Sequence, residues 1–362
     1  MRRFEKTFRI HKPALDRRLT IKRGPLRKGL FLRIIGIWLW TAQAIAFSQT
    51  TVQLMDSDYH RLSTPTEIVF PVKCDDRGNV YFRSSARGPG KFDVVKIAPD
   101  GSQKATYTYS GVADIKDDTL LAASAGDHGE MYELLRAPGQ RVLLLRFSEN
   151  GQLESRTEID APDPFAPAQL DVLPNGTLFV SGTLIGDKTG QGAGEPVNAL
   201  YDASGRWLKE IRLKNDSGLL KQSLKTADRI GSQNRAVHFG RTTVGDDGNL
   251  YLMRAASPAV VYVISPGGEV ERTLTVQPPG DGAVPFALLV HGGRVVVEFD
   301  FPTSPDVSDT RIRLVDSHSG QPITDYKVTT DLGEAVACYD GSQFTFVGLK
   351  DGWRSIIQAP TH

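Results

Sequence analysis

The feature that most constrains this chain is a short grammar repeated along it: a polar turn built on Gly, Asp or Asn, followed at once by a run of β-branched or aromatic residues. DDRGNVYF, beginning at Asp75, and GDDGNLYL, beginning at Gly245, are near copies. Looser copies are KDDTLLAA from Lys116, LPNGTLFV from Leu173, VHGGRVVV from Val290 and YDGSQFTF from Tyr339. A second turn follows all but the last, in residues 96–102, 146–153, 200–207, 263–270 and 314–322. Gly takes positive φ without strain and Asp or Asn tolerates it, so such turns between apolar runs signal hairpins. Each repeat therefore reads as strand, turn, strand, loop, strand, turn, strand. Four antiparallel strands recurring at about 40 to 50 residues specify a β-propeller blade, and six copies specify an all-β, six-bladed β-propeller.

The spacing is irregular, and three segments account for it as insertions. Residues 186–196 are rich in Gly and polar side chains, residues 160–169 are punctuated by Pro, and residues 214–235 have room for one surface helix over 219–227. The sixth repeat stops after three strands, at GEAVACYD, QFTFVGL and WRSIIQAP. An unpaired edge invites association, so a strand from the other terminus is expected to cover it. Residues 51–55 lie ahead of the first blade, and the expectation is that they pair with residues 353–359 and complete the last blade.

PTEIVFPVKCDDRGNVYF with VVKIAPDGS, and VGDDGNLYL with VYVISPGGEV, resemble the repeats of NHL-type six-bladed propellers. Weaker echoes extend across most of residues 50–359. That pattern usually continues the second strand with a small residue and an aspartate, whereas this chain has FRSS and LMRAAS there. The resemblance implies a blade and leaves function open, because propellers host hydrolases, lyases, receptors and scaffolds alike.

Charge is distributed unevenly. Residues 1–33 hold 12 of the 43 Lys and Arg but only Glu5 and Asp16 among the 42 acidic residues, leaving the remainder acidic by nine charges. An acidic body argues against nucleic acid as a partner, since such binding rests on cations that neutralise phosphates. The basic segment instead flanks an apolar run, LFLRIIGIWLWTAQAIAFSQ, at residues 30–49. Positive flank, apolar run and small residues at Ala46 and Ser48 fit a secretory signal peptide cut before Gln49. The run also approaches bilayer length, so an uncut anchor is the alternative and a buried soluble helix a third. The first two place the body outside the cytoplasm, periplasmic or extracellular, either released or held at the membrane through residues 30–48. The domain organisation is then a basic leader over residues 1–48 and one propeller over residues 49–362.

Candidate sites are few. Asp75, Asp76, Asp246 and Asp247 stand beside turn glycines without the alternating oxygen ligands and closing Glu of a calcium loop, and read as turn formers. A metal site of the kind found in lactonase-like propellers, with one divalent cation over the channel, would draw on Glu67, Asp114, Asp171 and Glu334, placed shortly before first turns. The histidines are scattered, and Ser124 in AASAG lacks the glycine and helix of a nucleophile elbow. Tyr81, Phe82, Phe179, Tyr251 and Phe346 recur at matching strand positions and read as packing between blades, whereas Trp207 and Trp353 are candidates for a binding rim. Cys74 and Cys338, the two cysteines of the chain, sit at matching places in the first and sixth copies and read either as two buried free thiols or as a disulfide across the seam. The expected function is a non-catalytic binding or interaction module for a protein or small-molecule ligand. The rival is a metal-dependent hydrolase or lactonase with its cation in the channel.

Overall fold

The structure, a computed structural model, describes residues 51–63, 68–84, 93–112, 120–162, 164–185, 194–230, 241–304, 307–329, 332 and 335–362. These residues form six sheets, antiparallel except for one added strand, that are the blades of a six-bladed β-propeller. Blade 1 comprises Ile68–Cys74, Val80–Ser84, Asp93–Ile97 and Gln103–Tyr107. Blade 2 comprises Leu120–Ala125, Met131–Arg136, Val142–Phe147 and Leu153–Glu158. Blade 3 comprises Phe165–Val172, Leu178–Leu184, Pro196–Tyr201 and Trp207–Glu210, and blade 4 Arg241–Val244, Leu250–Arg254, Ala259–Ile264 and Val270–Val276. Blade 5 comprises Val284–His291, Arg294–Ser304, Val307–Asp316 and Pro322–Val328. Blade 6 comprises Ala335–Tyr339, Gln343–Lys350 and Trp353–Pro360.

The first turns explain the repeat. In blade 1 the Asp75 amide donates to Asn79 O at 3.1 Å, and the Gly78 amide donates back to Asp75 O at 3.0 Å. The same pair of bonds recurs at Gly126, Leu173 and Gly245. In all four the fourth residue is a Gly at positive φ, the left-handed position this turn requires. Asp75 closes its turn by accepting from the Arg77 amide, the Asn79 amide and side chain, and Tyr81 Oη. In blade 4, Asp247 accepts from the Asn249 amide and Tyr251 Oη. Asp75 and Asp247 are thus occupied in shaping their turns.

One register expectation is corrected here. KDDT, residues 116–119, precedes the inner strand of blade 2, and the first turn of that blade is GDHGE at residues 126–130. Composition favoured KDDT because its two aspartates mimic Asp75 and Asp76, but it has no glycine for the left-handed position. GDHGEMYE, from Gly126, is the closer match to GDDGNLYL. The insertion expected at residues 160–169 is also shorter, because Phe165–Val172 is the inner strand of blade 3. Pro167 sits there at a bulge, on a strand with one unpaired edge, where the missing N–H removes no ladder bond. The surface helix exists and is longer than expected, Asp216–Ile230.

The core consists of six apolar clusters, each lying between neighbouring blades. Successive side chains on a strand point to opposite faces, and here both faces are covered. Tyr81 packs toward blade 2 and Phe82 toward blade 6, while Tyr251 faces blade 5 and Leu252 faces blade 3. This two-sided burial is why the second strands read as unbroken apolar and aromatic runs. The recurring aromatics Tyr81, Phe82, Phe179, Tyr251 and Phe346 are all buried. The cluster joining blades 1 and 6, which includes Val72, Phe82, Ala337 and Ile356, closes the ring.

An N-terminal strand completes the last blade, but not with the residues expected. Asp58–Arg61 pairs antiparallel with Ser355–Gln358 of blade 6. Thr51–Gln53 instead runs parallel to Pro322–Val328 and adds a fifth strand to blade 5. Leu54, between the two, is fully buried against blades 5 and 6 and pins the crossing. Thr51–Gln53 is thus the outermost strand of its sheet, while DYHR, which lacks apolar alternation, supplies the closing ladder of blade 6 through its backbone.

Candidate functional site

The inner strands surround the axis and end at the first turns, so one face of the ring presents all six turns around a channel mouth. A cavity of ≈ 730 Å³ opens there, lined by residues of all six blades and reaching down to Arg241, Ala287 and Val336. Counting back two residues from the start of each conserved turn gives Lys73, Ser124, Asp171 and Thr243 in blades 1 to 4, one level of polar side chains on the cavity wall.

Two of these meet. Lys73 Nζ donates to Asp171 Oδ1 at 2.6 Å and to Leu170 O at 2.8 Å, joining blades 1 and 3 past the inner strand of blade 2. Asp171 is 3% exposed, and its Oδ2 is buried without a hydrogen-bond partner among the described residues. Lys73 was not singled out from the sequence. Alignment of the inner strands on the turn glycines would have exposed it, since it occupies in blade 1 the place of Asp171 in blade 3.

The mouth carries many carboxylates, and most are committed. Asp75 is occupied by its turn, and Asp340 accepts from Ser342 and the Gln343 amide. Asp246 Oδ2 accepts from the Gly292 amide at 2.9 Å and ties blade 4 to blade 5. Deeper, Thr242 Oγ1 donates to Gln169 Oε1 at 3.4 Å.

At the floor Arg241 is buried, with Nε donating to Phe286 O at 2.8 Å and its guanidinium 5.1 Å from the Phe286 ring centre. Burial lowers its pKa to about 10 despite the nearby Glu298 and Asp300. Glu298 and Asp300 are two apart on one strand and so share a face. Burial raises Glu298, which accepts from the Val336 amide, and raises Asp300 to about 6 against the opposing effects of Thr310 and Arg241. Glu298 Oε2 has no hydrogen-bond partner among the described residues. These acids help balance the buried guanidinium at the base of the channel.

Of the four residues put forward as metal ligands, Glu67, Asp114 and Glu334 lie outside the described residues, and Asp171 pairs with Lys73. The corrected register moves Asp114 away from a first turn, to six residues before the inner strand of blade 2 begins at Leu120. Among the described residues no three His, Cys, Asp or Glu side chains are grouped to hold a metal ion. Cys74 is half-buried and Cys338 buried; both thiols are free and both line the mouth. Trp207 packs edge-on against Tyr201, with ring centres 5.4 Å apart. Trp353 is 51% exposed under the Arg61 guanidinium, in the hairpin at the end of blade 6 opposite the first turns, and takes no part in the mouth.

No family model matches this chain, and no curated protein matches it. Among solved structures, a protein of unknown function from Bacteroides caccae covers 74% of this chain and 92% of its own length, at 11% identity and a TM-score of 0.43. A subtype N11 neuraminidase-like protein of A/flat-faced bat/Peru covers 86% and 94%, at 10% identity and a TM-score of 0.45. Likeness at this level says nothing about activity, and the six-bladed architecture rests on the strand pairing itself.

Proposed function

We propose that this chain is an exported, non-catalytic binding module that takes a small polar ligand at the turn-side mouth of its channel. The observation that carries the reading is Asp171, a buried carboxylate on the cavity wall with one oxygen paired to Lys73 and the other without a donor among the described residues. Leaving a buried acceptor unsatisfied costs about 1–3 kcal/mol, so a ligand that brings an ammonium or hydroxyl donor gains what the free protein lacks. A cavity of ≈ 730 Å³ lies within the range of about 300–1,000 Å³ typical of small-molecule sites. Asp75, Asp247 and Asp340 favour binding over hydrolysis, because their hydrogen bonds to the backbone leave them poor candidates for acid, base or metal-ligand roles. Export is proposed on the basic flank and apolar run of residues 1–49, and descent of the blades from NHL-type repeats on the turn and strand grammar. An acidic body speaks for a ligand other than nucleic acid.

Calorimetry and thermal shift with putrescine, sorbitol and glutarate test the reading on the wild type and on Asp171→Asn. Binding of the diamine or the polyol that is lost in the variant supports it. Binding unchanged in Asp171→Asn, or ester or lactone turnover that chelation abolishes, overturns it.

A further inference from the structure

We infer that Cys74 and Cys338 are a built redox pair that closes the ring covalently across the seam between blades 1 and 6. The inference is independent of the channel ligand. These are the two cysteines of the chain, and the fold brings residues 264 positions apart in sequence to one place. Cys74 ends the inner strand of blade 1 and Cys338 lies one residue from the end of the inner strand of blade 6, so both stand at the height of the first turns. The two strands pack against one another. Both cysteines belong to the apolar cluster between these blades, with Val72, Val80, Ala337 and Val347, which places each on the face turned toward the other blade. A bulge between Val336 and Cys338 resets the alternation of the inner strand just before Cys338, a device that re-aims side chains. Burial, together with the neighbouring Cys74 thiol, pushes the Cys338 thiol well above the usual range.

The chemistry assigns different roles to the two sulfurs. Cys74 is half-buried and lines the cavity, so it is the one that a small disulfide entering from the mouth reaches. Its thiolate attacks one sulfur of that disulfide, forming a mixed disulfide and releasing one small thiol. Cys338 then gives up its proton, attacks the Cys74 sulfur and expels the second small thiol. The protein loses two hydrogens and two electrons, which reduce the small disulfide to two thiols. Burial of Cys338 makes the second step the slow one, since the thiolate is the nucleophile.

The test treats the purified full-length chain with excess oxidised glutathione, denatures it without reductant, alkylates it and maps the peptides by mass. The expected result is one peptide joining Cys74 to Cys338, no alkylated cysteine, and a Tm raised by at least about 5 °C over the reduced protein, as expected for a cross-link closing so long a loop. Cys338→Ala should instead hold one glutathione on Cys74, showing that the mouth admits the oxidant. Two alkylated thiols, or two glutathione adducts without a joined peptide, in a wild type whose circular dichroism shows it folded, would overturn the inference.

Discussion

Replacing Arg254 by Met is expected to destabilise the protein more than loss of any exposed charge, because Arg254 is 1% exposed and anchors the inserted helix to the ring. Its Nε donates to Asp216 Oδ1 at 2.6 Å, and its Nη2 donates to Asp216 Oδ2 at 3.0 Å and to Asn198 Oδ1 at 3.1 Å. Asp216 is the first residue of the helix and is itself buried, with a further bond from Asn198 Nδ2. Ser181 Oγ completes the network by donating to Asn198 at 2.7 Å. Removing the guanidinium strands a buried carboxylate, and breaking a buried pair in this way costs about 3–5 kcal/mol. Asp216→Leu strands the guanidinium and should cost a similar amount. The double variant removes both charges, so its cost should fall well below the sum, with a coupling of at least about 2 kcal/mol. Urea unfolding followed by circular dichroism reads all four proteins. A loss below about 1 kcal/mol in Arg254→Met, or additive losses in the double variant, would refute the reasoning, since either means the charges are not desolvated together.

Two other outcomes follow from the turns and the channel floor. Asp75→Ala deletes the acceptor for two backbone amides, Asn79 and Tyr81 Oη, and should cost about 1–3 kcal/mol in urea unfolding, whereas Asp76→Ala should change stability by less than about 0.5 kcal/mol. Asp300, raised to about 6 by burial, holds its proton more tightly folded than unfolded. Its contribution therefore grows as pH falls through 6 toward the ordinary carboxylate value, by about 1 kcal/mol between pH 7 and pH 5. Unfolding midpoints at the two pH values measure this, and Asp300→Asn should remove that part of the slope.

The blades were legible because each first turn in blades 1 to 4 needs a left-handed residue, and glycine marks it in the sequence. Where acidic composition was read without the glycine, at residues 116–119, the register of blade 2 came out too early. The ring was legible as well, since an incomplete sixth blade requires a partner strand. Which segment supplied it was not, because ladder pairing uses backbone groups, and DYHR carries no side-chain pattern that distinguishes it from a loop. Of the channel residues, Asp171 was visible as an acid just before a turn. Its pairing with Lys73 depends on two strands brought level by the closure of the ring, which the linear order of residues does not display.

The ring and its closure are the frame on which the channel mouth depends, and hydrogen exchange read by mass spectrometry tests that frame most directly. The account predicts that the bonded amides of Asp58–Arg61 and of Trp353–Pro360 exchange as slowly as those of the central strands of blade 6, in one cooperative unit. Exchange of residues 58–61 within seconds, while Gln343–Lys350 stays protected, would contradict it.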